Sequence, residues 1–166
     1  MREAAGRGAA TTHMTSSVLV DTNVLVYAYD RSETVKQSRA IELLDALALS
    51  GEGVLTTQVL AEFFVISTLR IREPLSVTVA REQVAAFCDG WLVLDTTPMV
   101  ILEAIRGVHD HRLHYWDAQL WASAKLNQVP FIVTEDLPSA DNIEGVRFID
   151  PFGPSNGTGW LNALVP

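Results

Sequence analysis

Residues 17–28 read Ser-Val-Leu-Val-Asp-Thr-Asn-Val-Leu-Val-Tyr-Ala: an apolar triplet, then Asp21, then a second apolar run after Thr22-Asn23. Adjacent side chains of a strand point to opposite faces, so an apolar strand over 17–20 has to be covered on both sides. Asp21 then stands at its carboxyl tip. The same short, continuously apolar form recurs at 54–56, 91–94, 131–133 and 146–149, and the stretches between are longer and helical in period. Thr34 with Gln37 has capping-box spacing and Gly51 follows as a stop, which predicts a helix over 34–50. Thr57 opens another over 57–69, broken by Arg72-Glu73-Pro74, and Ser76 opens a third to Cys88, closed by Asp89-Gly90. Thr97 before Pro98 supplies an N-cap and a first helical residue for a helix to Val108, and a last helix covers 115–126. Buried strands alternating with helices predict an α/β, three-layer fold around a parallel sheet, with ligands at the carboxyl ends of its strands.

The 166 residues suit one domain, and 48% hydrophobic against 19% charged residues gives enough apolar material for one core. Residues 17–152 are expected to form that domain, 1–16 a flexible extension with Met14 as an alternative start, and 153–166 a loose tail. The uncharged run over 54–61 is far short of the roughly 20 residues that cross a bilayer, so no integral membrane span is expected. A single cysteine, Cys88, allows neither an internal disulfide nor a thiol metal cluster, which fits a reducing cytoplasm. Cys88 itself is expected to be a buried helix residue. A net charge of −8 opposes nucleic-acid binding at first sight. Carboxylates that gather around divalent ions would change that balance, and ten of the 12 basic residues are Arg, the side chain suited to phosphate.

Four acids stand where carboxylates are costly. Asp21 and Asp136 follow apolar strands, the latter behind Phe131-Ile-Val-Thr134. Glu62 is the only charge from Val59 to Leu69, with Val65, Ile66 and Leu69 at helical spacing. Asp117 repeats the pattern with Leu120, Trp121 and Ala124. An ionised carboxylate on an apolar face costs several kcal/mol unless it is paired or bound to metal. Caps, surface positions or nearby Arg partners explain any one of them alone; a shared site explains all four. Hard oxygen donors favour Mg²⁺ or Mn²⁺, whose chemistry includes hydrolysis of phosphodiesters.

With these residues placed, the chain resembles the PIN-domain family of metal-dependent ribonucleases, specifically the single-domain VapC-type toxins of toxin–antitoxin modules. The resemblance rests on VLVDTNVLVYAYD from Val18, TTQVLAEFF from Thr56, HYWDAQLWASA from His114, FIVTEDL from Phe131 and VRFIDPF from Val146. By position, Asp21, Glu62, Asp117 and Asp136 resemble the family's acidic quartet, with Asp141 competing for the fourth place. Asn23 resembles the polar residue that orients the first acid, and Thr134 the hydroxyl before the last. The resemblance implies a five-stranded parallel sheet, frequent homodimers, RNA cleavage and inhibition by a cognate antitoxin.

Other features are less distinctive. His109, His111 and His114 lack the i, i+4 pairing of a helical metal site and fit a solvated connection or an RNA contact. Arg70 and Arg72 follow the Glu62 helix, where cations complement the helix dipole or reach phosphate, and Arg112 lies nearer Asp117 in sequence. Tyr115, Trp116 and Trp121 suit core packing or base stacking. Two rival functions remain. One is a haloacid-dehalogenase-type phosphatase with Asp21 as nucleophile, disfavoured because the acid it needs two residues on is Asn23. The other is a catalytically silent PIN-like binding module.

Overall fold

The computed structural model describes residues 17–136, 138 and 140–153; the expected extension and nearly all of the expected tail lie outside them. Along the chain come β1 (Val18–Val20), α1 (Thr22–Tyr27), α2 (Thr34–Ser50), β2 (Gly53–Thr56), α3 (Thr57–Leu69) and α4 (Val77–Gly90). Then follow β3 (Leu92–Leu94), α5 (Pro98–His111), α6 (Tyr115–Leu126), β4 (Phe131–Val133), β5 (Asn142–Ile143) and β6 (Val146–Ile149). The sheet order is β3-β2-β1-β4-β6-β5. All neighbours are parallel except β5, which runs antiparallel to β6 at one edge.

The five expected parallel strands are present, and the sheet has a sixth. Strand β5 has two residues, Asn142 exposed and Ile143 buried, too few to show a pattern in sequence. Helix α1 is the other element that the sequence conceals. Val24, Leu25 and Val26 are all buried, and that short apolar run fits a strand as well as a helix. Asp21 decides it by capping: its carboxylate accepts the Thr22 amide hydrogen at 2.6 Å.

Side-chain caps set the starts of α3, α4 and α5, but not of α6. Thr56, Ser76 and Thr97 accept from the amides of Val59, Val79 and Val100. The α3 cap is Thr56, one residue before the expected Thr57. Helix α2 begins after Glu33 without a side-chain cap, so the expected Thr34 capping box does not form. Gly51 ends α2 with φ 72°, where a side chain would be strained. Helix α5 runs three residues beyond Val108, which places His109 and His111 on a helix rather than in a connection.

The core follows from these elements. All of β1 is fully buried, and Phe63 of α3 and Trp121 of α6 are the largest buried side chains. Trp121 fits against α5 because residue 107 is glycine; a Cβ there would meet the indole ring at 2.8 Å. Its indole N–H donates to the Ile143 carbonyl at 3.1 Å, tying α6 to the short edge strand. Cys88, expected in the core, is exposed on α4. No helix among the described residues is long and apolar enough to cross a membrane.

Candidate functional site

Strand order reverses direction around β1, which pairs with β2 on one side and with β4 on the other. Loops leaving β1 and β4 diverge at that point and open a crevice beyond the strand ends. Asp21 follows β1, Thr134 to Asp136 follow β4, and Glu62 and Asp117 come in on α3 and α6. All four acids line one cleft of about 510 Å³, together with Arg70 and Arg72.

Thr134 is buried and holds the strand ends together. Its hydroxyl donates to Asp21 Oδ2 at 2.6 Å and accepts the Asp136 amide hydrogen at 3.0 Å. The Asn23 side-chain amide lies 3.2 Å from Asp21 Oδ2, 3.1 Å from Thr134 Oγ1 and 3.2 Å from Asp136 Oδ2, so its two hydrogens serve three acceptors. Asn23 Oδ1 in turn accepts the Glu135 amide hydrogen. Glu62 is oriented by two residues that the sequence reading passed over. Thr22 Oγ1 donates to one carboxylate oxygen at 3.1 Å, and Gln58 Nε2 donates to the other at 3.0 Å. The Gln58 signal was the i, i+4 spacing to Glu62 on one helix. Its own Oε1 is shut from water and has no partner among the described residues, an uncompensated desolvation of about 1–3 kcal/mol.

Electrostatics follow from this crowding. Burial raises the Asp21 carboxyl to about 6; bonds from Thr134 and Thr22 oppose the rise, while Asp117 and Glu62 add to it. Burial likewise raises Asp117, with Asp136 and Glu62 contributing repulsion and His114 partly relieving it. None of the four acids forms an ion pair among the described residues. Glu135, a fifth acid at the same strand end, is treated differently. Burial disfavours its charge, but Lys36 and the Tyr27 hydroxyl outweigh that and hold its carboxyl below the usual range. It is neutralised, and the other four are not.

The acids surround the cleft without closing on a point: among the described residues no three carboxylate, imidazole or thiolate groups are near enough to grip one ion directly. Mutual repulsion and the individual hydrogen bonds account for that spread. The donor set is all oxygen, carries like charges and lacks a protein cation, which fits a hard divalent ion that keeps part of its water shell. Asp21, Glu62, Asp117 and Asp136 are the residues that could hold it.

The other candidates divide. Asp141 lies outside the cleft, before β5, and Asp136 lines it. Arg112 does not line it either; it ends α5 with φ 56°. The Glu62 premise needs correction, because Val65 is 42% and Leu69 74% exposed, so the apolar stripe beside Glu62 faces solvent while α3 buries Val59, Leu60 and Phe63 instead. At Asp117 the premise holds, since Leu120, Trp121 and Ala124 are buried. The three histidines separate: His109 contacts Asp110, His111 contacts Glu144, and His114 precedes α6 near Asp117. Trp121 belongs to the core, whereas Trp116 is 60% exposed at the cleft.

A family model for the PIN domain matches residues 18–138, which include all four acids. The chain belongs to the PIN-domain family. No curated protein sequence matches it. Solved PIN-like structures share its fold at low identity. A toxin–antitoxin complex from Klebsiella pneumoniae aligns over 81% of this chain and 98% of its own, with 16% identity and a TM-score of 0.61. DNA-bound VapBC from Salmonella typhimurium covers the same shares at 15% identity and a TM-score of 0.57. VapC20 of Mycobacterium tuberculosis, a sarcin–ricin-loop-cleaving toxin, covers 70% of this chain and 87% of its own, with 16% identity and a TM-score of 0.55.

Proposed function

We propose that this PIN domain is a Mg²⁺- or Mn²⁺-dependent endoribonuclease that acts as the toxin of a toxin–antitoxin module. The observation that carries the reading is the gathering of Asp21, Glu62, Asp117 and Asp136 around one cleft at the strand-order reversal, each without an ion-pair partner among the described residues. Family membership and the toxin titles of the structural neighbours support it. Antitoxin, a second copy of the chain and RNA are the partners that this reading assigns, and the cytoplasm is its setting.

The four carboxylates would hold the divalent ion, and the chemistry it supplies there is activation of a water and neutralisation of charge on the departing 3′ oxygen. The chain's own part is positioning. Thr134 and Asn23 fix the Asp21 carboxylate, Asn23 ties it to Asp136, and Thr22 with Gln58 holds Glu62 in orientation. Arg70 and Arg72 at the rim offset the acid field that would otherwise repel phosphate.

Purified protein incubated with RNA and Mg²⁺ or Mn²⁺ should produce fragments with 5′-phosphate ends, and a chelator should stop the reaction. Asp117→Asn should abolish both cleavage and growth arrest while leaving the circular-dichroism spectrum unchanged. RNA bound tightly but uncleaved at every divalent concentration would replace the enzyme with a silent binding module. Trapping of phosphate on Asp21 would replace it with a phosphatase.

A further inference from the structure

Next to the acid cleft lies a second depression of about 660 Å³, which shares Gln58, Glu62, Ile66, Arg70 and Trp116 with it. The two are continuous, so anything processed at the acids has its flanking atoms over this groove. Its far wall is mostly apolar, from Ala61 and Val65 of α3. Two features along the junction differ from an ordinary surface. Trp116 is 60% exposed, and its ring makes a T-shaped contact with Tyr115 at 5.2 Å, which limits its motion. Arg70 makes no ion pair or side-chain hydrogen bond among the described residues, although the chain has 20 acids to offer.

An exposed aromatic ring and an uncommitted guanidinium are the complements of a base and a phosphate. We propose that this groove receives an unpaired nucleotide of the RNA substrate adjoining the scissile phosphate, with its base on Trp116 and its phosphate at Arg70. A base inside a duplex cannot do this, since both faces are stacked and its edge is paired. The site therefore selects single-stranded or looped RNA. This rests on the ribonuclease reading, but it concerns recognition rather than hydrolysis.

Binding separates the two. The Asp21→Asn protein, expected to be inactive, is titrated with a fluorescein-labelled single-stranded RNA of mixed sequence and with the same RNA annealed to its complement. The single strand should bind more tightly. Adding Trp116→Ala should weaken it by about tenfold, and Trp116→Phe should restore most of the loss. Arg70→Gln should weaken binding and flatten its salt dependence. In the active protein, Trp116→Ala should act on KM more than on kcat. Equal affinity for duplex and single strand, or binding within twofold of the parent after Trp116→Ala in a protein with unchanged melting temperature, overturns the proposal. So does sedimentation showing that Trp116→Ala disperses a dimer without altering RNA affinity, because the groove would then belong to a second copy. If the active protein cleaves no RNA but the binding pattern holds, the enzyme reading fails and the groove assignment stands.

Discussion

Burial and hydrogen bonding act on Asp21 in opposite directions, and burial wins, leaving its carboxyl at about 6. An acid raised on folding stabilises the folded chain below its unfolded value of 3.8 and loses that contribution as pH rises through 6. Fully charged Asp21 therefore weakens the metal-free fold by up to about 3 kcal/mol, an upper bound because the residue opens onto the cleft. Asp21→Asn should melt higher than the parent at pH 7 in chelator, and the two should converge near pH 4, while RNA cleavage is lost. Thr134→Val keeps the shape and removes one hydroxyl that serves Asp21, Asn23 and Asp136. Cleavage should fall about 10–100-fold, and the Mn²⁺ concentration for half-activity should rise. The places of Asp21 and Thr134 were legible because a polar residue directly after a buried strand can occupy only its tip. Gln58 shows only its i, i+4 spacing to Glu62, which many surface pairs share, so its role emerges once the neighbours are placed.

Helices α5 and α6 show how packing constrains the elements behind the site. Gly107→Ala would gain about 1 kcal/mol of helix propensity. The new Cβ would meet the Trp121 ring at 2.8 Å, and that ring is buried and tied to the Ile143 carbonyl. Overpacking of about 1–3 kcal/mol should win, lowering the urea midpoint. On the outer side of the same pair, Arg106 bridges Glu103, Asp110 and Glu144, and Lys125 bridges Glu103 and Glu144. Bonds from Arg106 and Lys125 lower Glu103 to about 2 and hold Glu144 lower still. Acids depressed in this way contribute stability above about pH 4.5 and lose it as pH falls towards 2. The groups are largely exposed, so melting curves through that range should show a smaller loss in high salt. The sequence displayed these helices by caps and period, but the helical His109 and His111 followed from an extra turn that Arg112 ends in a left-handed conformation. A non-glycine stop of that kind leaves no compositional signal.

For the whole molecule, charge and fold are coupled. The chain carries −8 overall and collects four acids, none ion-paired among the described residues, at one end of the sheet. Divalent ions that bind the folded state should raise its melting temperature, by about 2.7 kcal/mol of stability at a hundred times the dissociation constant. The gain should vanish with chelator and in Asp117→Asn, as differential scanning fluorimetry can show. The parallel arrangement was legible from five short apolar runs, although β3 is only partly covered, with Leu92 49% exposed. The sixth strand was invisible because two residues make no period. That small strand and its counterpart at the opposite rim have a wider effect. With two residues at β5 and three at β3, the sheet's margins expose few free N–H and C=O groups for a stranger to zip onto. Lasting company for this molecule has to grip its helical flanks, and a peptide built to lengthen the sheet should slide off.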